Sequence, residues 1–190
     1  MKIGLFFGSF NPFHLGHKMV SSYMAEFTDL DQVWIVVSKL NPEKKEEELL
    51  DAHHRLMIIR IEEEDNPKVF VSSAELSLPT PSYTINTLEF FKKEYPNYTF
   101  VLIMGADNLK NFHTWKNHEK ILAENLLYIY PRPGIAVSMQ HKNIVFFDKC
   151  PKIDISASFI RTNIKKKKNI SYLIPEKAWN YIDEMNFYRF

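Results

Sequence analysis

Short apolar runs alternate with longer amphipathic ones along the chain. Residues 3–7, 33–37, 69–71, 100–104 and 126–130 are each almost continuously hydrophobic. A strand covered on both faces of a parallel sheet reads this way, whereas a half-solvated strand alternates apolar and polar positions. Between these runs, residues 15–27, 51–64, 83–95 and 115–124 carry helical spacing. In the third, Ile85, Leu88 and Phe91 fall on one face, and Lys92, Lys93 and Glu94 close the segment. Strand and helix in alternation predict an α/β fold, a doubly wound, mainly parallel sheet with helices on both faces. Beyond Pro131 the pattern changes. Residues 132–134 read as a turn and 144–147 as a further strand. Ser156 or Ser158 stands near the start of a helix over 157–164, and Pro175 opens a last helix carrying Ala178, Trp179 and Ile182. With no internal repeat and no long linker, residues 1–190 are expected to form a single domain, its helical part from about 151 joined to the rest.

Composition changes the picture mainly by exclusion. Hydrophobic residues at 45% and charged residues at 25% are ordinary for a soluble domain. The 24 Lys and Arg against 23 Asp and Glu leave a net +1, so no overall basic field argues for nucleic acid. A lone cysteine, Cys150, excludes an internal disulfide and a thiolate zinc site, and suits a reducing compartment. The first apolar run is too short for a signal peptide or a membrane span, which makes a cytoplasmic location the expectation. The charge runs at 43–48 and 165–168 read as solvated surface, the four lysines at the negative end of a helix. Five glycines, Gly4, Gly8, Gly16, Gly105 and Gly134, are spaced so as to exclude both GxGxxG and GxxxxGK.

Chemistry concentrates where the first strand runs into Gly8-Ser9-Phe10-Asn11-Pro12-Phe13-His14-Leu15-Gly16-His17. In a doubly wound sheet this loop lies at the carboxyl edge of the strands, where ligands bind. Its amides and the helix start that follows favour an anionic phosphate. His14 and His17 share the first helical turn and can face one ligand, with Gly16 between them removing a side chain. Imidazoles beside a phosphate act as donors where transition-state charge develops. The same pair also reads as part of a metal site lacking a nearby third ligand, or as a structural helix start.

GSFNPFHLGH resembles the (H/T)xGH signature of the nucleotidyltransferase superfamily. Residues 155–161, ISASFIR, resemble its second signature, ISxSxxR. Between them, PSYTINTL at 81–88 is similar to the SYTxxTL segment of bacterial nicotinate mononucleotide adenylyltransferases. IMGADNL at 103–109, followed by Trp115, resembles their GxD…W segment, and YPRPG at 130–134 their RPG turn. Phosphopantetheine adenylyltransferases share only the first and last of these. The chain departs from the family in three places. Phe7-Gly8 stands where many members have two glycines, Asn11 where many have aspartate, and LNPEKK at 40–45 where a PHK element is usual.

The resemblance implies a Rossmann-like fold and adenylyl transfer from ATP to nicotinate mononucleotide, giving deamido-NAD and pyrophosphate. It implies catalytic roles for His14, His17 and Arg161, the histidines at the α- and β-phosphates. Gly8, Ser9, Phe10, Gly16, Gly105, Asp107, Ser156, Ser158 and Arg161 would bind ATP, Asp107 through a ribose hydroxyl. The helical part from about 151 would complete that ATP site. Tyr83, Thr84, Trp115, Arg132 and Lys44 would bind substrate, with Trp115 stacked on the pyridine ring. Mg²⁺ would be held by phosphates and water without direct protein ligands. The implied partners are ATP and nicotinate mononucleotide, with no nucleic acid or membrane, and a homo-oligomer is left open. Other readings are a different small-molecule nucleotidyltransferase, such as phosphopantetheine adenylyltransferase or a cytidylyl-transferring enzyme, and a non-catalytic nucleotide-binding regulator. Taken alone, Trp115 also reads as a core aromatic, Asp107 as a helix cap and Thr84 as a helix-starting hydroxyl.

Overall fold

All six apolar segments become strands of one parallel sheet in the order β3-β2-β1-β4-β5-β6. The computed structural model describes residues 1–40, 49–136 and 139–189. Its strands are β1 (Lys2–Gly8), β2 (Gln32–Val37), β3 (Val69–Ser72), β4 (Thr99–Gly105), β5 (Leu126–Tyr130) and β6 (Ile144–Phe146). The helices are α1 (Leu15–Phe27), α2 (Ala52–Glu63), α3 (Ala74–Ser77), α4 (Thr84–Glu94), α5 (Ala106–Lys110), α6 (His118–Glu124), α7 (Ala157–Lys165) and α8 (Glu176–Glu184). The order reverses between β1 and β4, and in such sheets the crevice at the reversal is where ligands bind.

The pleat of the strands divides the core in two. Alternate residues of a strand point to opposite faces, so Phe6 joins Met24, Ile59, Ile160 and Ile182 on the α1, α2, α7 and α8 side. Ile3 and Leu5 join Leu88, Phe91, Leu102 and Ile121 beneath α4, α5 and α6. Gly4, for which the sequence suggests no role, lies closely against side chains of this packing. A Cβ there would lie 2.6 Å from the side chains of both Ile103 and Leu30. Ser156, expected near a helix start, caps α7 by accepting from the Phe159 N–H at 3.2 Å. Asp51, the first residue of the segment read as helical, is the cap of α2 and accepts from the His53 N–H at 2.8 Å.

The predicted helix over 115–124 is corrected. The chain forms α5, then a 3₁₀ turn at Phe112–Thr114, and α6 starts only at His118. Asn117 holds a left-handed φ of 55° as the N-cap of α6, which breaks the helical path and leaves Trp115 on a connector. α3 was not foreseen either, being a single turn too short to show a period. No helix among the described residues is long and apolar enough to cross a membrane.

One side chain binds the loops at the carboxyl edge together. Arg55, on α2 and 1% exposed, donates to the carbonyls of Leu50 at 2.7 Å, Ser9 at 2.7 Å, Ser38 at 2.8 Å and Lys39 at 3.1 Å. Burial pulls its pKa down, but a guanidinium starts so far above neutrality that it stays charged. Four carbonyl dipoles replace its lost hydration, and a buried charge is tolerable only when satisfied in this way. Arg55→Met should therefore cost about 3 kcal/mol or more, since the carbonyls lose their donor in a dry environment. Urea unfolding measures this, and a loss below about 0.5 kcal/mol, the range of an ordinary surface substitution, would contradict the assignment.

Candidate active site

The loop after β1 is shaped by its aromatic residues. Phe10 adopts a left-handed φ of 46°, which turns its ring under the loop against Phe6, Phe13 and His17 at centroid distances of 5.5, 6.0 and 4.9 Å. A Cβ at Gly8 would meet that ring at 2.7 Å, so glycine is what admits it. Phe10 is 3% exposed. Its side chain belongs to the core, and only its backbone can face a nucleotide. Ser9 gives its carbonyl to Arg55 and keeps a buried hydroxyl without a hydrogen-bond partner among the described residues.

His14 is the N-cap of α1, and its peptide N–H donates to His17 Nδ1 at 3.3 Å. An acceptor role at Nδ1 places the proton of neutral His17 on Nε2. The two imidazoles stack with centroids 3.6 Å apart at 21°. Gly16 makes room for this pair, since a Cβ would sit 3.1 Å from both the His14 ring and Ile153. The clearance expected for a ligand is thus first a clearance for His14. His14 is 3% exposed. Burial, and then the charge of Arg132, push its pKa down to about 4, so the ring is neutral in the resting protein. His14 Nδ1, like the Ser9 hydroxyl, is buried without a partner among the described residues. Buried polar atoms in native proteins are ordinarily bonded, and these two lie in the same loop.

The second signature meets this loop directly. Ser156 caps α7, and Arg161 one helical turn further donates from Nη1 to the Asn11 carbonyl at 2.8 Å, with Nη2 3.5 Å from Ser158 Oγ. Both serines are exposed at the helix start. Arg132 is placed on this side too. Its Nε lies 3.5 Å from Asp107 Oδ1 and its guanidinium 6.0 Å from the centre of the Tyr130 ring. It is not among the residues lining the cavity around Trp115, so it stands apart from the substrate residues with which the sequence grouped it. Asp107 is not a cap. It occupies the first turn of α5 behind Gly105, where a Cβ would lie 2.2 Å from Asp107 Oδ1.

A cavity of about 340 Å³ opens beside the loop, lined by Phe7, Gly8, Ser38, Glu75, Ser82, Tyr83, Thr84, Asn108, Thr114, Trp115, Lys116 and Ile121. The expected residues Tyr83, Thr84 and Trp115 come together here. Tyr83 is the N-cap of α4, so Thr84 is not a capping hydroxyl, and the first amides of α4 stand at the cavity. Trp115 is half-buried, packed on Phe112 at 5.6 Å, and so is not a core aromatic. Lys116, which the sequence reading missed although it follows Trp115 directly, places its Nζ 4.5 Å above the Tyr83 ring. Glu75 was also missed. It is 1% exposed, and one carboxylate oxygen accepts from the Thr87 hydroxyl at 2.8 Å. Burial pushes its pKa up, opposed by hydrogen bonds led by that from Thr87. Lys44 lies outside the described residues.

A loop of amides and imidazoles at the switch point, closed by an arginine from a later helix, defines the class: a nucleotidyltransferase. Residues 5–163 match the cytidylyltransferase-like family. A Flavobacterium psychrophilum protein named "probable nicotinate-nucleotide adenylyltransferase" is 49% identical, with 100% of both chains covered. A Bacteroides thetaiotaomicron protein of the same name is 40% identical over 97% of this chain and 92% of its own. A solved structure of Plasmodium falciparum nicotinic acid mononucleotide adenylyltransferase, complexed with NaAD, superposes with a TM-score of 0.84, covering 100% of this chain and 98% of that one at 23% identity. The chain belongs to the nicotinate-nucleotide adenylyltransferase family.

The resting charge of His14 can be tested by pH. Its folded pKa of about 4 lies below the ordinary 6.5, so between these values the unfolded chain binds a proton that the folded chain refuses. Stability contributed by His14 is therefore complete above the upper value and lost as pH falls through the window to the lower one. Imidazole NMR shifts should show His14 titrating near 4, and His14→Gln should flatten the acid slope of stability. A titration near 6.5 would contradict the buried neutral state.

Proposed function

We propose that this protein transfers the adenylyl group of ATP to nicotinate mononucleotide, forming deamido-NAD and releasing pyrophosphate. The observation that carries the reading is the juxtaposition of two half-sites at Gly8. That residue opens the histidine loop and also lines the cavity of Tyr83, Thr84 and Trp115. A nucleotide phosphate held by the loop and an acceptor held in the cavity would meet there.

An oxygen of the acceptor phosphate attacks the α-phosphorus of ATP. The new P–O bond forms as the bond to the bridging α–β oxygen breaks, and that electron pair leaves with pyrophosphate. The acceptor phosphate is already anionic near neutral pH, its second pKa being about 6, so no side chain need act as base or nucleophile. The protein's task is alignment and stabilisation of charge spread over the phosphoryl oxygens. His17 offers Nε2–H, His14 offers a neutral ring, and Arg161 and Arg132 offer fixed positive charge. Ser156, Ser158 and the helix start they mark would hold the outer phosphates, so the part from about 151 completes the ATP site. Asp107 would bond the ribose, with Gly105 beside it.

Mg²⁺ fits this reading as a companion of ATP. Among the described residues no three His, Cys, Asp or Glu side chains cluster as a cation cage. The loop's donors suit anionic oxygens, so phosphates and water would hold the ion, which neutralises triphosphate charge when bound. On the acceptor side, the pyridine ring would stack on Trp115. Its carboxylate would face the α4 amides and Lys116. A cavity with aromatic walls, a helix start and Lys116 suits a pyridine carboxylate better than a linear pantetheine arm. The single cysteine suits a reducing compartment, and the reading places the enzyme in the cytoplasm.

Purified protein with ATP and Mg²⁺ should release pyrophosphate on adding nicotinate mononucleotide, and about tenfold or more slowly with nicotinamide mononucleotide, whose amide forfeits a charge-assisted contact. His17→Ala should lower kcat about a hundredfold, as for other preorganised donors. No release with either acceptor, or an unchanged rate in the variant, would overturn the reading.

A further inference from the structure

The end of the chain is tied to the phosphate loop. α8 closes with the Phe187 N–H donating to the Ile182 carbonyl and the Asn186 N–H to the Asp183 carbonyl, both at 3.1 Å, while Asn186 adopts a left-handed φ of 57°. This reversal turns the chain back toward the sheet. Phe187 packs on the His54 ring at 4.7 Å. Tyr188 is itself left-handed, at φ 63°, a conformation costly for a bulky residue and one that persists only where surrounding contacts enforce it. The enforcing contact is visible: the Tyr188 hydroxyl donates to Asn11 Oδ1 at 2.8 Å, across 177 positions of sequence.

Asn11 is 4% exposed and sits at the centre of the histidine loop. Its Oδ1 accepts from the Leu50 N–H at 3.2 Å as well as from Tyr188, and its carbonyl accepts Arg161 Nη1 at 2.8 Å. The residue on which Arg161 rests is thus held in place by the last turn of the protein. We propose that Tyr188 is a positioning residue for nucleotidyl transfer, its hydroxyl fixing Asn11 and, through it, the histidine loop and Arg161. Burial pushes the phenol's pKa up although Arg55 and Arg161 pull it down, so it stays a donor. The proposal rests on the adenylyltransferase reading for its kinetic arm only. The Tyr188 hydroxyl bonds to the histidine loop, and Tyr188 does not line the cavity around Trp115, so loss of that hydroxyl should act on ATP and not on the acceptor.

The test is Tyr188→Phe, which keeps the ring and removes the hydroxyl. Expected are a five- to tenfold fall in kcat/KM for ATP, about the worth of one hydrogen bond, with an unchanged KM for nicotinate mononucleotide. Binding of α,β-methylene-ATP, read by calorimetry, should weaken by a similar factor, and this arm reports even if the acceptor has been misassigned. In an Asn11→Asp background, which retains an acceptor oxygen, Tyr188→Phe should cost the same factor. In Asn11→Leu it should add nothing. Unchanged ATP kinetics and analogue affinity in Tyr188→Phe would overturn the proposal. So would an equal rise in KM for both substrates together with a lowered thermal midpoint, the signature of a merely structural role.

Discussion

The buried guanidinium of Arg55 is the constraint on which the carboxyl edge depends. A parallel sheet delivers the ends of β1 and β2 to one edge, but the loops beyond them carry carbonyls that the sheet cannot satisfy. Arg55 collects those of Ser9, Ser38 and Lys39, together with Leu50 at the approach to α2. A lysine would present a point charge without the planar fork that reaches several acceptors at once. This hub joins the histidine loop to the cavity, because Arg55 holds the carbonyl of Ser9 in the one and of Ser38 in the lining of the other.

The site follows from how charge is arranged across that junction. Positive groups gather at the loop that carries His14 and His17, where Arg161 donates to the Asn11 carbonyl and the charge of Arg132 reaches His14. One of these histidines is held neutral by burial and by a nearby arginine. A neutral imidazole such as that of His14 donates a hydrogen bond without competing for the solvation of a full charge, while the guanidiniums supply the field. On the other side of Gly8 the cavity combines aromatic walls with a helix start and Lys116. Direct displacement between two aligned phosphates needs no side-chain nucleophile. That reading agrees with the family to which the chain belongs.

Much of the fold was legible because short continuous apolar runs alternating with amphipathic ones read as the strands of a parallel sheet, and these runs set all six strands within a residue or two. The first and last motifs were legible because local sequence carries them: a glycine-bearing loop entering a helix, and a serine cap followed by an arginine. What escaped depends on distant packing. Arg55 and Glu75 look like ordinary solvated helix charges, and only tertiary structure turns them inward. Phe10 reads as a ligand residue in sequence, yet its left-handed backbone buries the ring. Gly8 and Gly16 were rightly placed in the loop, but each is required first by a neighbouring ring, Phe10 in one case and His14 in the other. The bond between Asn11 and Tyr188 joins opposite ends of the chain and leaves no local pattern to read.

The central claim is direct transfer between two phosphates held on either side of Gly8, with the protein contributing alignment and charge. The stereochemical course at the α-phosphorus tests it most directly. With ATP made chiral by a sulfur at that position, a single in-line displacement by nicotinate mononucleotide must invert the configuration of the dinucleotide product. Inversion is the predicted result. Retention would require two displacements through a nucleotidylated side chain, and would contradict the account.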